Sequence, residues 1–220
     1  MQHPTGLHNR QYYSGLVGAR RRRSRLTSVS MAMNLVHRLC CDSDRWANEV
    51  KGQVLPWVLA DVDLGDNVLE IGPGYGAFLR VLVDKTPKLT AVEIDPAMAR
   101  RLQERYGEQA RIINGDGTDT GLPAEEFSSV VSFTMLHHVP TTELQDELFA
   151  EAYRVLRPGG VFAGSDGIPS LLFSILHFRD TCNPIPPTDL PDRLRAAGFH
   201  DVEVEVQAGR QRWRAQKPKV

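Results

Sequence analysis

The chain has 220 residues, of which 41% are hydrophobic, and a formal net charge of -1. That is enough apolar material for one sizeable core and one domain, while the near-neutral balance gives no electrostatic pull toward nucleic acid and no stretch is long and apolar enough to cross a bilayer. Three cysteines, two of them adjacent as Cys40-Cys41 and the third at Cys182, make neither a disulfide framework nor a metal-binding spacing, which fits a reduced, cytoplasmic setting without a metal.

Residues 1–30 differ in kind from the rest. No Asp or Glu precedes Asp42, and Arg20, Arg21, Arg22, Arg23 and Arg25 form a basic run. The composition is that of a disordered tail, or of an extension upstream of a start near Met31 or Met33. A phosphate-binding arm or an organelle-targeting peptide is the functional reading of the same run. A twin-arginine export signal is excluded because no apolar segment follows the arginines. Residues 31–62 read as an N-terminal helical region. Trp46, Val50, Val54 and Trp57 share one face, and Pro56 predicts a kink or two short helices. The two tryptophans suit packing; a lid over a ligand site is the alternative.

The next elements alternate regularly. Val68 to Ile71 reads as a buried strand, the glycine-rich turn Gly72-Pro73-Gly74-Tyr75-Gly76 follows, and a helix runs from Ala77 to Val83. Leu89 to Ile94 is a second strand. Asp95 and Pro96 are suited to the N-cap and first position of a helix that carries Met98, Leu102 and Tyr106 and stops at Gly107. Arg111 to Ile113 is a third strand leading into the polar loop Asn114-Gly115-Asp116-Gly117-Thr118. Ser129 to Phe133 is a fourth, followed by a loop with His137 and His138. Thr142 and Gln145 have capping-box spacing at the head of a helix through Val155, which ends before Pro158-Gly159-Gly160. Val161 to Ala163 is a fifth strand, and residues 164–188 form an insert. A helix after Asp189 ends at Gly198. Val202, Val204 and Val206 then alternate as a strand does, and the turn Ala208-Gly209 returns Gln211 to Ala215 as an antiparallel partner. Five strand–helix alternations predict an α/β fold, a Rossmann-like doubly wound sheet with helices on both faces and an antiparallel hairpin at one edge.

The ligand site follows from that order. The glycines permit positive φ and close approach, and the turn offers backbone N–H groups at a helix start. Their spacing is Gly-x-Gly-x-Gly, not the Gly-x-Gly-x-x-Gly of dinucleotide enzymes. Glu93, about 20 residues on at the end of the second strand, is placed to accept both hydroxyls of a ribose. Asp116 ends the third strand, where a carboxylate can accept an exocyclic amine of adenine. Ligands in such sheets sit beyond the strand C-termini, so the three features should share one crevice.

With Val68-Leu69-Glu70-Ile71-Gly72-Pro73-Gly74-Tyr75-Gly76, Ala91-Val92-Glu93-Ile94-Asp95-Pro96, Gly115-Asp116-Gly117, Met135-Leu136-His137-His138-Val139 and Arg154-Val155-Leu156-Arg157-Pro158-Gly159-Gly160, the chain resembles the class I S-adenosylmethionine-dependent methyltransferases of small-molecule type, from about Val54 to Val206. The resemblance implies a seven-stranded sheet with a reversed last strand and S-adenosyl-L-methionine as cofactor. It further implies that Glu70 and Gly72, Pro73, Gly74 and Gly76 hold the methionine end and that Glu93 takes the ribose hydroxyls. Asp116 and the Gly117 backbone would meet the adenine, Ile94 would pack on the base, and Phe133 or Thr134 would flank the methionine moiety. One position departs from the pattern: Ser128 follows Phe127 where many relatives carry Asp, at a structural position.

Methyl transfer from a sulfonium needs an aligned nucleophile and, for a hydroxyl, thiol or ammonium acceptor, a proton acceptor. His137, His138, Asp166 and His177 are the candidates, with Phe173, Phe178 and Asp180 as further lining of an acceptor pocket. The loop after the fourth strand reads Thr134-Met135-Leu136. It is not the Asp/Asn/Ser-Pro-Pro-aromatic of enzymes acting on base amines, and it lacks a cysteine for ring-carbon methylation. The expected acceptor is therefore a small molecule, with oxygen, nitrogen, sulfur and carbon all open. The alternatives are a cofactor-binding protein without catalysis and an RNA methyltransferase using the basic tail.

Overall fold

The computed structural model describes residues 39–178 and 180–219; the arginine run and the 1–30 tail lie outside them. Among the described residues the strands are β1 (Val68–Ile71), β2 (Leu89–Glu93), β3 (Arg111–Asn114), β4 (Phe127–Phe133), β5 (Leu156–Gly167), β6 (His200–Gln207) and β7 (Arg210–Gln216). They form one sheet in the order β3-β2-β1-β4-β5-β7-β6. Strands β1 to β5 pair in parallel, and β7 lies antiparallel to both β5 and β6. The helices are α1 (Asp44–Glu49), α2 (Leu55–Val58), α3 (Leu79–Leu82), α4 (Pro96–Tyr106), α5 (Thr142–Val155), α6 (Leu171–Leu176) and α7 (Leu190–Ala196).

The period-two alternation of strand side chains divides the core into two layers. Leu69, Ile71, Val130 and Phe162 face α5 and α7 through Leu148, Phe149, Ala152, Leu190 and Leu194. Val68, Ala91, Val131 and Phe133 face the N-terminal helices, α3 and α4 through Val54, Leu55, Leu79 and Leu102. Strands β1 and β2 are buried along their whole length, Glu70, Thr90 and Glu93 included, as central parallel strands covered on both faces are. Edge strand β6 alternates in exposure only as far as Glu205. Ser128 is structural: its hydroxyl donates to the Leu64 carbonyl at 2.7 Å and accepts from the Asn67 N–H at 2.9 Å, stitching the entry of β1 to β4.

Several local expectations need correction. The break in the N-terminal helix precedes Pro56 as a π-helical turn, Val50–Val54, closed by the Leu55 N–H on the Val50 carbonyl. The wide turn passes the chain into a short helix in which proline occupies an early position, where its missing N–H costs least. Trp46 and Trp57 are half-buried against the second core layer, and Trp46 meets Phe78 edge-on at 6.1 Å. The Thr142–Gln145 capping box does not form. Thr141 is the N-cap, accepting from the Leu144 N–H, and Gln145 points inward to donate to the Leu136 and Asn183 carbonyls. Strand β5 begins at Leu156 rather than Val161. The β4–β5 register jumps from Phe127↔Leu156 to Ser129↔Val161, so Pro158-Gly159-Gly160 sits in a bulge that needs no ladder N–H from proline.

Candidate nucleotide-binding crevice and histidine cluster

The C-terminal ends of β1, β2 and β3 are held together by polar contacts. The Gly72 N–H donates to the Val92 carbonyl at 2.9 Å, extending the β1–β2 ladder into the glycine turn. The Glu93 carboxylate accepts from the Gly74 N–H and from the Asp95 N–H, each at 2.9 Å. The Gly115 N–H donates to the Glu93 carbonyl at 3.0 Å, and the Asn114 amide reaches the same carbonyl at 2.9 Å. Gly117 lies so close to β1 that an added Cβ would stand 2.5 Å from Ile71 Cγ2. The glycine turn, Glu93 and the Asp116 loop therefore meet in one place, as the spacing predicts.

Within it, Asp116 is buried, and one of its carboxylate oxygens accepts from the Thr118 N–H and hydroxyl, each at 2.9 Å. Ile94 is half-buried beside Glu93. Phe133 stacks on Phe78 at 4.3 Å and is taken up in the core, whereas Thr134, half-exposed, takes φ 48° at the end of β4. A left-handed threonine is strained backbone of the kind found at ligand sites. Burial pushes the Glu93 carboxyl above its ordinary range, against backbone hydrogen bonds from Asp95, Gly74 and Ile94 that lower it.

Glu70 is the most unusual group here. It is 1% exposed, and its Oε2 finds no hydrogen-bond partner among the described residues. Burial, with the Glu93 charge adding to it, pushes its carboxyl up to about 8. A buried carboxyl oxygen beside a glycine turn whose Gly74 faces open space at its Cβ position is a cradle for a cationic, polar ligand.

Beyond the ends of β4 and β5 lies a second polar group. A 3-10 turn, Leu136–His138, follows β4, and α6 follows β5. His137, His138 and His177 are all buried, with ring centroids 4.1, 4.7 and 5.7 Å apart. Asp166, at the end of β5, holds His137 twice: one oxygen accepts from its backbone N–H at 2.8 Å and the other contacts Nδ1 at 2.5 Å. Phe173 packs on His137 and His177 at 5.0 and 4.1 Å, whereas Phe178 is exposed. The sequence proposes these histidines one by one as proton acceptors and assigns no metal set. Their convergence depends on α6 folding back over the 3-10 turn, which no spacing motif announces.

A glycine turn and two strand-end carboxylates, Glu93 and Asp116, thus meet at the C-terminal ends of a 3-2-1-4-5-7-6 α/β sheet whose seventh strand is reversed. Residues 69–164 match the family described as a methyltransferase domain. The chain is 34% identical over 170 residues to erythromycin 3''-O-methyltransferase of Saccharopolyspora erythraea, covering 66% of this chain and 54% of that protein. It is 42% identical over 55 residues to ribosomal RNA small subunit methyltransferase A of Cupriavidus taiwanensis, covering 25% of this chain and 20% of that protein. The crystal structure of a SAM-dependent methyltransferase from Archaeoglobus fulgidus shares the fold at a TM-score of 0.63, with 18% identity, over 78% of this chain and 92% of that one. Residues 69–164 are thus similar to a methyltransferase domain, set in the fold that the chain shares with a SAM-dependent methyltransferase. The chain spans about half the length of the first of these relatives. Among the described residues no helix is long and apolar enough to cross a membrane.

Proposed function

We propose that the protein transfers the methyl group of S-adenosylmethionine to a small-molecule acceptor in a reducing, cytoplasmic setting. The observation that carries the reading is the joining of the Gly72–Gly76 turn, Glu93 and the Asp116 loop by direct contacts at three strand ends. In this reading Glu93 takes the ribose hydroxyls, keeping lone pairs beyond the two spent on Gly74 and Asp95. Asp116 and the Gly117 backbone meet the adenine with Ile94 beside it. Glu70, Gly72, Pro73, Gly74 and Gly76 hold the methionine end, flanked by Thr134.

Bound there, S-adenosylmethionine supplies a methyl already activated on a sulfonium, open to in-line displacement. What the chain adds is position. A fixed approach of acceptor to methyl is worth about 7–11 kcal/mol of barrier in well-aligned systems. The acceptor side is the wall of His137, His138 and His177, whose imidazoles are the proton acceptors of this reading. Asp166 orients the His137 ring through Nδ1 and is a positioning residue.

The erythromycin O-methyltransferase relative supports a small-molecule acceptor with oxygen as the acceptor atom. The Thr134-Met135-Leu136 loop, unlike that of base-amine enzymes, supports the same class. The test is turnover on a panel of hydroxylated, aminated and thiol small molecules, followed by release of demethylated cofactor. Turnover confined to RNA, with steep salt dependence lost on deleting residues 1–30, overturns the small-molecule reading. Calorimetric failure to bind S-adenosylmethionine overturns the whole of it.

A further inference from the structure

The histidine cluster has a second property that methyl transfer does not require. One ligand-capable atom from each of His137, His138 and His177 lies within 4.8 Å of those of the other two, and all three residues are buried. Each ring also has its Nδ1 engaged by an oxygen. His138 Nδ1 meets the Thr181 carbonyl at 3.2 Å, His177 Nδ1 the Phe173 carbonyl at 2.8 Å, and His137 Nδ1 the Asp166 carboxylate at 2.5 Å. A carbonyl oxygen can only accept, so His138 and His177 carry their proton on Nδ1, and the lone pair of each neutral ring sits on Nε2. Asp166, which also accepts from the Gly167 N–H at 2.7 Å, imposes the same tautomer on His137. A carboxylate or carbonyl fixing the far nitrogen is the outer-shell arrangement that orients metal-ligating histidines.

We infer that His137, His138 and His177 form a binding site for one divalent transition ion of the zinc class, with Asp166 and the Thr181 and Phe173 carbonyls as its supporting shell. Three buried imidazoles select an imidazole-preferring ion over magnesium or calcium, which take oxygen donors. Zinc binds nitrogen at about 2.0–2.1 Å, so the three nitrogens would close to about 3.3 Å of one another. The short helix α6, whose Leu171 and Ile175 are exposed, is the element that closes on the 3-10 turn. Three protein ligands leave a fourth position for water or for an oxygen, nitrogen or sulfur of the acceptor, which the ion would polarise. With the ion in place the rings act as ligands and not as proton acceptors. The inference needs no cofactor in the neighbouring crevice, so it stands or falls apart from the methyl-transfer reading.

The test is a titration of the chelator-stripped full chain with Co2+. The expected result is visible ligand-field bands of a four-coordinate site that saturate at one equivalent and are displaced by Zn2+. His177→Ala and His138→Ala should each remove those bands. Asp166→Asn should weaken Zn2+ by about 10–100-fold, as loss of an outer-shell partner does. Zn2+ should also raise the melting temperature of the unsubstituted chain but not of His177→Ala. A stripped chain without a saturable Co2+ spectrum overturns the site even if every variant misfolds. So does a spectrum that persists in both folded histidine variants, since the ion would then be bound elsewhere.

Discussion

The Glu93 carboxylate accepts a hydrogen bond from the Gly74 backbone N–H at 2.9 Å, joining the end of β2 to the glycine turn after β1 across 19 residues of chain. The same side chain accepts from the Asp95 N–H, so both oxygens face donors. Replacing Glu93 with Ala should weaken S-adenosylmethionine by on the order of 10–100-fold, the loss expected from charge-assisted hydrogen bonds worth about 1.5–3 kcal/mol. Glu93→Gln should do no better, because its NH2 group must point at one of two N–H donors. Calorimetry on the two variants checks both statements, and a Gln variant with full affinity would refute the second.

Gly72 and Gly74 should fail in different ways. Both take positive φ, 73° and 53°. A Cβ on Gly72 would stand 2.3 Å from Met135 Cγ, whereas one on Gly74 meets nothing within 4 Å. Alanine at either position carries a left-handed penalty of roughly 1–2 kcal/mol. Gly72→Ala should add overpacking of about 1–3 kcal/mol and show as lost thermal stability. Gly74→Ala should unfold earlier by that left-handed penalty alone but lose cofactor affinity, because its methyl enters the space where the ligand approaches. Melting curves with and without S-adenosylmethionine separate the two. Equal melting temperatures for the variants would contradict the assignment.

The contrast between these two glycines also marks what the sequence could and could not disclose. Val68 to Ile71, the Asp95-Pro96 helix start and the Ala208-Gly209 turn rest on short-range signals, and each element forms where its residues place it. The β5 bulge and the inward turn of Gln145 depend on partners far along the chain, at Lys217 and Asn183, which no local window contains. Glu93 and Asp116 were legible because strand ends in a parallel sheet all point one way. The histidine cluster was not, because His177 reaches His137 only through the path of residues 167–177. Of Phe133 and Thr134, either of which the resemblance places beside the methionine moiety, Phe133 stacks on Phe78 in the core, a contact that no local window discloses.

Glu70 gives the chain a pH dependence of definite sign. Its carboxyl titrates at about 8 in the folded state against an ordinary 4.5, chiefly through burial and then through the Glu93 charge. Between those values the folded protein holds a proton that the unfolded chain has lost, so stability falls as pH rises. The contribution is fully present below the unfolded value and is lost as pH passes through the folded one. Glu151 acts oppositely. Although burial raises its pKa, bonds from Arg154 and Thr120 lower it on balance, so its stabilisation is lost toward acid. Urea unfolding at about pH 5.5 and about pH 8 should show the unsubstituted chain losing stability relative to Glu70→Gln at the higher pH. Parallel values would mean that Glu70 is ionised in the fold. A cationic ligand at Glu70 should also favour its carboxylate, so S-adenosylmethionine binding near neutral pH should release protons. Binding enthalpies that are the same in buffers of different ionisation heat would exclude that release.

Gln145 should separate acceptor-side architecture from cofactor binding. Its amide donates to the Leu136 carbonyl at 3.0 Å and the Asn183 carbonyl at 2.8 Å, and its oxygen accepts from Arg193 at 2.8 Å. It thereby fastens the 3-10 turn carrying His137 and His138 to the 182–186 segment and to α7, while the glycine turn and Glu93 lie across the sheet ends. Gln145→Ala takes a donor from the Asn183 carbonyl and leaves the Leu136 carbonyl with the Val139 N–H, and it strips Arg193 of an acceptor, at about 1–3 kcal/mol for each buried group left unsatisfied. At about 2–4 °C per kcal/mol for a chain of this size, the melting temperature should fall by roughly 5–15 °C. Affinity for S-adenosylmethionine, measured below the transition, should stay within about threefold, because none of the Glu93 contacts is touched. Turnover on any acceptor found by the panel should fall by more than that, since the turn bearing the histidines loses its anchor. A variant that loses cofactor affinity and turnover in equal measure would show that the two halves of the site are not separable in this way.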